Sequence, residues 1–195
     1  MYKNFFKRFI DIILSFAGLV VLSPLLMIIA LLIKLDSKGP VLFRQKRVAK
    51  DKNHFNILKF RTMYADVPKD VPTHLLADPE SKITKIGRFL RKSSLDELPQ
   101  IWNILVGEMS IIGPRPALWN QFDLIAERDK YGANDVRPGL TGLAQIRGRD
   151  ELPIDIKAAY DGEYAQNITF AGDVKIFFGT ITSVLGAKGI KEGKQ

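Results

Sequence analysis

Apolar positions run almost unbroken from Ile12 to Ile33, and basic positions crowd both ends of the run. At about 1.5 Å per residue this run reaches roughly 33 Å as a straight helix, enough to cross a bilayer core. Ser23-Pro24 falls near its middle. Pro24 has no N–H, so the Val20 carbonyl loses its helical partner and the ring presses on the preceding turn. The Ser23 hydroxyl can reach back to the Leu19 carbonyl and repair part of that loss. Lys3, Lys7 and Arg8 precede the run, while Lys34, Lys38, Arg44, Lys46, Arg47 and Lys50 follow it. Basic flanks favour the cytoplasmic side, so a hairpin that dips in and returns satisfies both ends. A kinked transmembrane helix stays open on this pattern alone. The run is too long for a signal peptide and no small-x-small cleavage site follows, so a retained anchor is expected.

Beyond Gly39-Pro40 the period changes. "VLFRQKR" and "FNILKFRTM" alternate as two strands around a polar turn at 50–53, a β-hairpin. Pro68, Pro72 and Pro79 make 64–80 a loop. Ile83, Ile86, Phe89 and Leu90 restore helical spacing beside Lys82, Lys85, Arg88, Arg91 and Lys92: a solvated face over a core, or a helix lying on anionic lipid. A second helix is expected from Leu95 to Val106, then a short strand in "GEMSIIGPRP", a helix over 117–132, and a strand near Leu143–Ile146 within a turn-rich loop. Helices at 153–165 and 170–185 complete the pattern, with a disordered tail after them. The expected fold is α+β and mainly helical. It divides into a membrane hairpin (1–38), a catalytic domain at the membrane interface (39–186) and the tail (187–195).

The 195 residues suit one domain, and the net charge of +8 favours anionic partners. Without cysteine, disulfides and thiolate chemistry are excluded. Neither His54 nor His74 stands at metal-ligand spacing, and no Walker A, G-x-G-x-x-G or nucleophile-elbow motif occurs. The acidic pair in "SSLDELPQ" has two readings. Ser94-x-x-Glu97 is the spacing of a capping box, with Asp96 complementing the helix dipole. The same position favours ionised carboxylates and phosphate, so Asp96 could serve as nucleophile or metal ligand with Glu97 beside it. In "GPRP" the prolines hold Arg115 stiffly, which suits an oxyanion. Arg137, Arg147 and Arg149 lie next to glycines; singly each reads as a solvated turn, together they outline a polyanion pocket. Nucleic acid is not an expected partner, because the aromatics fall in apolar stripes and the arginines in Gly/Pro loops. A purely structural membrane protein leaves the acidic pair and the Pro-Arg-Pro block without a use.

The order of these blocks closely resembles the bacterial monotopic phosphoglycosyl transferases. The Ser-Pro pair in an apolar hairpin, "KFRTM", "SLDELPQ" followed by "GEMSIIGPRP", and "VRPGLTGLAQIRGR" carry the likeness from about Lys3 to Leu185. The chain resembles the members that consist of the catalytic domain alone. The resemblance implies transfer of a sugar 1-phosphate from a UDP-sugar to a polyprenol (undecaprenyl) phosphate with Mg²⁺, releasing UMP. It implies Asp96 as a nucleophile forming a phosphosugar-aspartyl intermediate, and Glu97 as its partner in base or metal chemistry. Arg115 and Arg149 match the family's phosphate-binding arginines; Arg91, Lys59 and Arg137 are further candidates. It further implies a re-entrant hairpin bent at Ser23 and Pro24, on the cytoplasmic face of the bacterial inner membrane. "PALWNQ" and "GRDELP" are similar to those of glycan-initiating members that take N-acetylated deoxyamino sugars. A second copy of the chain is left open as a partner.

Overall fold

The computed structural model describes residues 1–68, 78–148 and 152–185. The expected tail and Arg149 therefore lie outside the described residues. The long apolar run forms α1 (Lys7–Asp36), led in by a π-helical turn over Tyr2–Phe6. The helical element continues through Pro24, so the expected division into helix, break and helix does not appear as a gap in it. The Ser23 hydroxyl donates to Val20 O at 2.8 Å, not to Leu19. It thus meets the very carbonyl that Pro24 orphans.

After α1 come β1 (Leu42–Val48) and β2 (His54–Phe60), an antiparallel hairpin with Arg47 opposite Phe55 and Phe43 opposite Lys59. Residues directly opposite share a face, so Gln45, Arg47, Phe55, Ile57 and Lys59 point the same way. The apolar members of that face pack on Ile104 and Met109. Then follow α2 (Lys85–Ser93), a 3₁₀ turn over Leu95–Glu97, and α3 (Gln100–Val106). The expected helix over 95–106 therefore starts five residues late, with Pro99 at its N-cap. β3 (Ser110–Ile112) pairs in parallel with β4 (Gly139–Thr141), and α4 (Phe122–Asp129) lies between them in sequence. Residues 117–121 are not helical, which shortens the helix expected over 117–132. Where a strand was expected at 143–146, the chain forms α5 (Leu143–Arg147). Last come α6 (Ile154–Gln166) and α7 (Phe170–Leu185).

α1 meets the rest of the molecule near both of its ends. Toward its start, Arg8 donates to Ile104 O and Leu105 O at 2.6 and 2.8 Å, and Asp11 accepts from Ile111 N. Lys7 and Tyr2 both donate to Asp173 of α7. Toward its end, Ile29 and Ile33 pack with Phe60 and Leu90, and Asp36 accepts from Ile86 N. The buried Arg61 donates to Pro40 O, Lys38 O and Ser37 O at 2.7–2.8 Å, fastening the exit of the helix. Between these points Val20, Val21, Leu25, Met27 and Ile28 stay exposed.

Candidate active site

Two partly buried leucines, Leu95 and Leu98, seat the 3₁₀ turn on the core formed by Ile29, Ile33, Phe60 and Leu90. Asp96 and Glu97 lie between them in the turn. Ser94 closes α2 in the left-handed conformation, φ 56°, and its side chain makes no cap hydrogen bond. A capping box needs an extended N-cap whose hydroxyl accepts from the helix, so that reading fails here. The Glu97 carboxylate goes elsewhere: its Oε1 accepts from Lys59 Nζ at 2.7 Å and from Arg115 Nη2 at 3.0 Å.

Three elements bring these groups together. Lys59 extends from the buried face of β2, one pleat beyond Ile57. Asn103, in α3, ties β2 to α3: its Oδ1 accepts from Leu58 N and its Nδ2 donates to Asn56 O and Glu108 Oε2. Arg115 stands in the loop after β3, where its neighbours Pro114 and Pro116 are buried and its own side chain reaches solvent. Arg91, on α2, donates its Nε to Thr62 Oγ1 at 2.9 Å and acts electrostatically on Asp96 together with Lys59 and Arg115.

The two carboxyls are pushed in opposite directions. Burial alone would raise Glu97, but Arg115 and Lys59, as charges and as hydrogen-bond donors, hold it far below the usual carboxylate range. For Asp96 burial prevails: its carboxyl is raised, against the pull of Lys59 and with the help of the Glu97 charge. The sequence reading expected a helix terminus to lower Asp96; desolvation outweighs that effect. Asp96 makes no hydrogen bond or ion pair to any described residue, whereas one oxygen of Glu97 is doubly occupied.

Arg47 belongs to this site and was missed. It is half-buried on the hairpin face that carries Lys59, with Nη1 donating to Pro116 O at 2.9 Å and Nη2 to Gln45 Oε1. Its Nε has no partner among the described residues. Burial, and then the like charge of Arg115, pull its guanidinium down to about 9, with Glu97 opposing. It stays charged near neutrality. In the sequence Arg47 looks like one of several flanking cations; only the strand register, which sets it opposite Phe55, reveals it.

Arg137 stands apart from this cluster. Its Nε donates to Gly107 O at 3.0 Å, and with Arg8 it neutralises the C-terminal end of α3. Asp96, Glu97, Lys59, Arg91 and Arg115 are thus gathered, and Arg137 is not. Chemically the cluster is an acidic dyad facing fixed cations, the arrangement that a phosphoryl group with developing negative charge requires.

A family model described as bacterial sugar transferase matches residues 2–187. The chain is 40% identical over 193 residues to an exopolysaccharide production protein PSS of Rhizobium leguminosarum bv. phaseoli, covering 92% of this chain and 94% of that one. It is 40% identical to an undecaprenyl-phosphate glucose phosphotransferase of Komagataeibacter xylinus, covering 90% of this chain and 35% of that protein. It is 38% identical to a UDP-N-acetylgalactosamine-undecaprenyl-phosphate N-acetylgalactosaminephosphotransferase of Aeromonas hydrophila, covering 96% and 45%. The chain thus spans less than half the length of the latter two relatives.

Proposed function

Because this chain belongs to the bacterial sugar transferase family, we propose that it moves a sugar 1-phosphate from a UDP-sugar to a polyprenol phosphate, releasing UMP. One observation carries the proposal: a carboxyl with no partner among the described residues, Asp96, beside a Glu97 held by Lys59 and Arg115. The names of the Komagataeibacter and Aeromonas relatives support it, since both refer to undecaprenyl-phosphate phosphotransferases.

The reaction proceeds in two displacements. An Asp96 oxygen attacks the β-phosphorus of the donor; the bond from that phosphorus to the bridging oxygen breaks, and the electron pair leaves with UMP. The acyl phosphate so formed carries the sugar. An oxygen of the polyprenol phosphate then attacks the same phosphorus, and the bond to Asp96 breaks. This frees the carboxylate and yields a polyprenol diphosphosugar. Burial makes Asp96 a poorly solvated and hence reactive anion once ionised. Lys59, Arg91 and Arg115 offset the charge that builds on the phosphoryl oxygens. Glu97, kept ionised, holds Lys59 and Arg115 in place.

Mg²⁺ fits this donor set. It is satisfied by one or two carboxylates plus water and substrate phosphate, and Asp96 with the second oxygen of Glu97 supplies that number. Among the described residues no group of three or more acidic, His or Cys side chains suggests a protein-only cage. When bound, the ion would offset diphosphate charge.

The placement of α1 supports a monotopic enzyme. Helix contacts near both ends, through Arg8, Asp11, Arg61 and Asp36, go to one folded body. A body that holds both ends keeps them on one side of a bilayer, and the face of α1 left exposed between them enters lipid. The basic flanks favour the cytoplasmic side of the bacterial inner membrane. The donor we would test first carries an N-acetylated deoxyamino sugar. The test is intact mass after incubating the protein with a panel of UDP-sugars and Mg²⁺ but no lipid. A phosphosugar adduct on the wild type and none on Asp96→Asn is expected. Steady UMP release with no adduct, or an adduct on another residue, would overturn the two-step reading.

A further inference from the structure

The backbone that presents Arg115 is fastened at every carbonyl from 114 to 117, each by a different donor. Pro114 O accepts from Gly139 N at 2.8 Å and Ala117 O from Val48 N at 3.0 Å. Pro116 O accepts from Arg47 at 2.9 Å, and Arg115 O from Arg128 Nη2 at 3.0 Å. Two are backbone pairings that any sheet edge offers. The other two come from arginine side chains, the half-buried Arg47 and the buried Arg128, each of which also donates to a side-chain oxygen, Gln45 Oε1 and Asp161 Oδ2.

Arg128 is the more telling of the two. It comes from α4, is 4% exposed, and is neutralised by Asp161 of α6, itself 1% exposed. Its Nε and Nη2 both donate to Asp161 Oδ2, at 2.9 and 2.5 Å, and the same Nη2 also reaches Arg115 O. A buried ion pair contributes little net stability compared with an apolar pair of the same shape. Its geometric effect is different: a planar guanidinium braced by a carboxylate is a rigid strut, and this one ends on the backbone of a residue in the candidate site. Arg128 also lines, with Val48, Pro114 and Pro116, a small pocket beside the loop.

We propose that the buried Arg128–Asp161 pair is a positioning device for the reaction, fixing the Arg115 backbone so that its guanidinium meets the transferring phosphoryl group. The proposal rests on reading Arg115 as a phosphate contact. Neither Arg128 nor Asp161 touches substrate; both act through Arg115. A misplacement of about 1 Å can cost on the order of 100-fold in rate, so removing the strut should lower turnover without unfolding the chain.

The test is a mutant cycle on the full chain in detergent, reading UMP release in kcat/KM with the best donor of the panel, beside melting temperature. Arg128→Met with Asp161→Leu removes both charges together and so leaves no buried ion unpaired. We expect that paired variant to melt near the wild type and to lose about 10- to 100-fold in kcat/KM. In an Arg115→Ala background the same pair should cost little more, because the group it positions is gone. Losses that multiply across the two backgrounds, or normal turnover of the folded paired variant while Arg115→Ala is impaired, overturn the positioning role alone. Normal turnover of Arg115→Ala overturns the phosphate reading beneath it, and the proposal falls with it. If the paired variant does not fold, Arg128→Lys enters the same cycle. It keeps the charge against Asp161 but cannot serve carboxylate and carbonyl with one fork. A loss absent in the Arg115→Ala background supports the role, and an additive loss overturns it.

Discussion

Lys59 and Arg115 both donate to one oxygen of Glu97, and this separates two adjacent carboxyls that share a turn and much of their burial. Glu97 stays ionised throughout the working range, whereas Asp96 is raised by desolvation. If Asp96 must be ionised to attack, the acid limb of kcat/KM reports its titration in the free enzyme and lies above the ordinary aspartate range. The signs of two variants follow. Lys59 lowers Asp96, so Lys59→Met should move that limb to higher pH; Glu97 raises Asp96, so Glu97→Gln should move it to lower pH. Lys59→Met should also reduce kcat/KM by about 10- to 100-fold near neutrality, through loss of a charge-assisted contact. Limbs that shift in the same direction, or not at all, would remove Asp96 from that role. The dyad was legible as a candidate because two carboxylates follow a basic stretch. Its local reading as a capping box was wrong for a reason spacing cannot carry: Ser94 is left-handed, and Glu97 has cations from β2 and the 113–118 loop to satisfy instead.

The hairpin and α2 follow the apolar period closely, because each buries one stripe against a neighbour over two turns or several pleats, whereas α6 buries Asp161 and Gly162 among its inward positions. α5 was missed because five residues hold only one helical repeat, Leu143 to Ile146, too few to set a period. α1 was legible in extent, and its fastening was not, since Arg61 reads simply as part of "KFRTM". Arg61 satisfies three carbonyls at the exit of α1, and a planar fork is what spans them. Arg61→Ala should therefore cost about 3–5 kcal/mol, with Arg61→Lys recovering only part, as read by melting in detergent micelles. Full stability of Arg61→Ala would show that water replaces the clamp. The same fastening bears on topology. With no native cysteine, single cysteines at positions 3 and 38 should both react with an impermeant maleimide only after the inner membrane is opened. Labelling at position 3 in intact cells would end the re-entrant reading. Pro24→Ala, which restores an N–H to Val20 O, should shift part of the population toward such labelling.

Large apolar side chains remain exposed on several elements besides α1: Phe89 on α2, Trp102 and Val106 on α3, and Phe170, Phe177, Phe178 and Ile181 on α7. So much uncovered aromatic surface is expected on a molecule that rests in the headgroup region, with Trp102 at a depth indole favours. On the proposed monotopic reading α1 holds the chain to lipid, and these side chains then set how deep and at what tilt the Asp96 turn sits. In the proposed reaction the donor arrives from water and is insensitive to that depth, whereas the polyprenol phosphate arrives within the bilayer and depends on it. Trp102→Glu with Phe178→Glu, at positions 52% and 62% exposed, should leave the melting temperature within a few degrees of wild type. Each change removes about 2 kcal/mol of interfacial burial, taking roughly half of a large aromatic surface at about 25 cal/mol/Å². The first half-reaction should survive, seen as an unchanged rate of phosphosugar adduct formation without lipid. Transfer from the adduct to polyprenol phosphate in vesicles should slow by roughly 10-fold or more. A variant that forms adduct slowly but transfers normally would place these aromatics in the donor half of the reaction and refute the division between a soluble and a membrane-borne substrate.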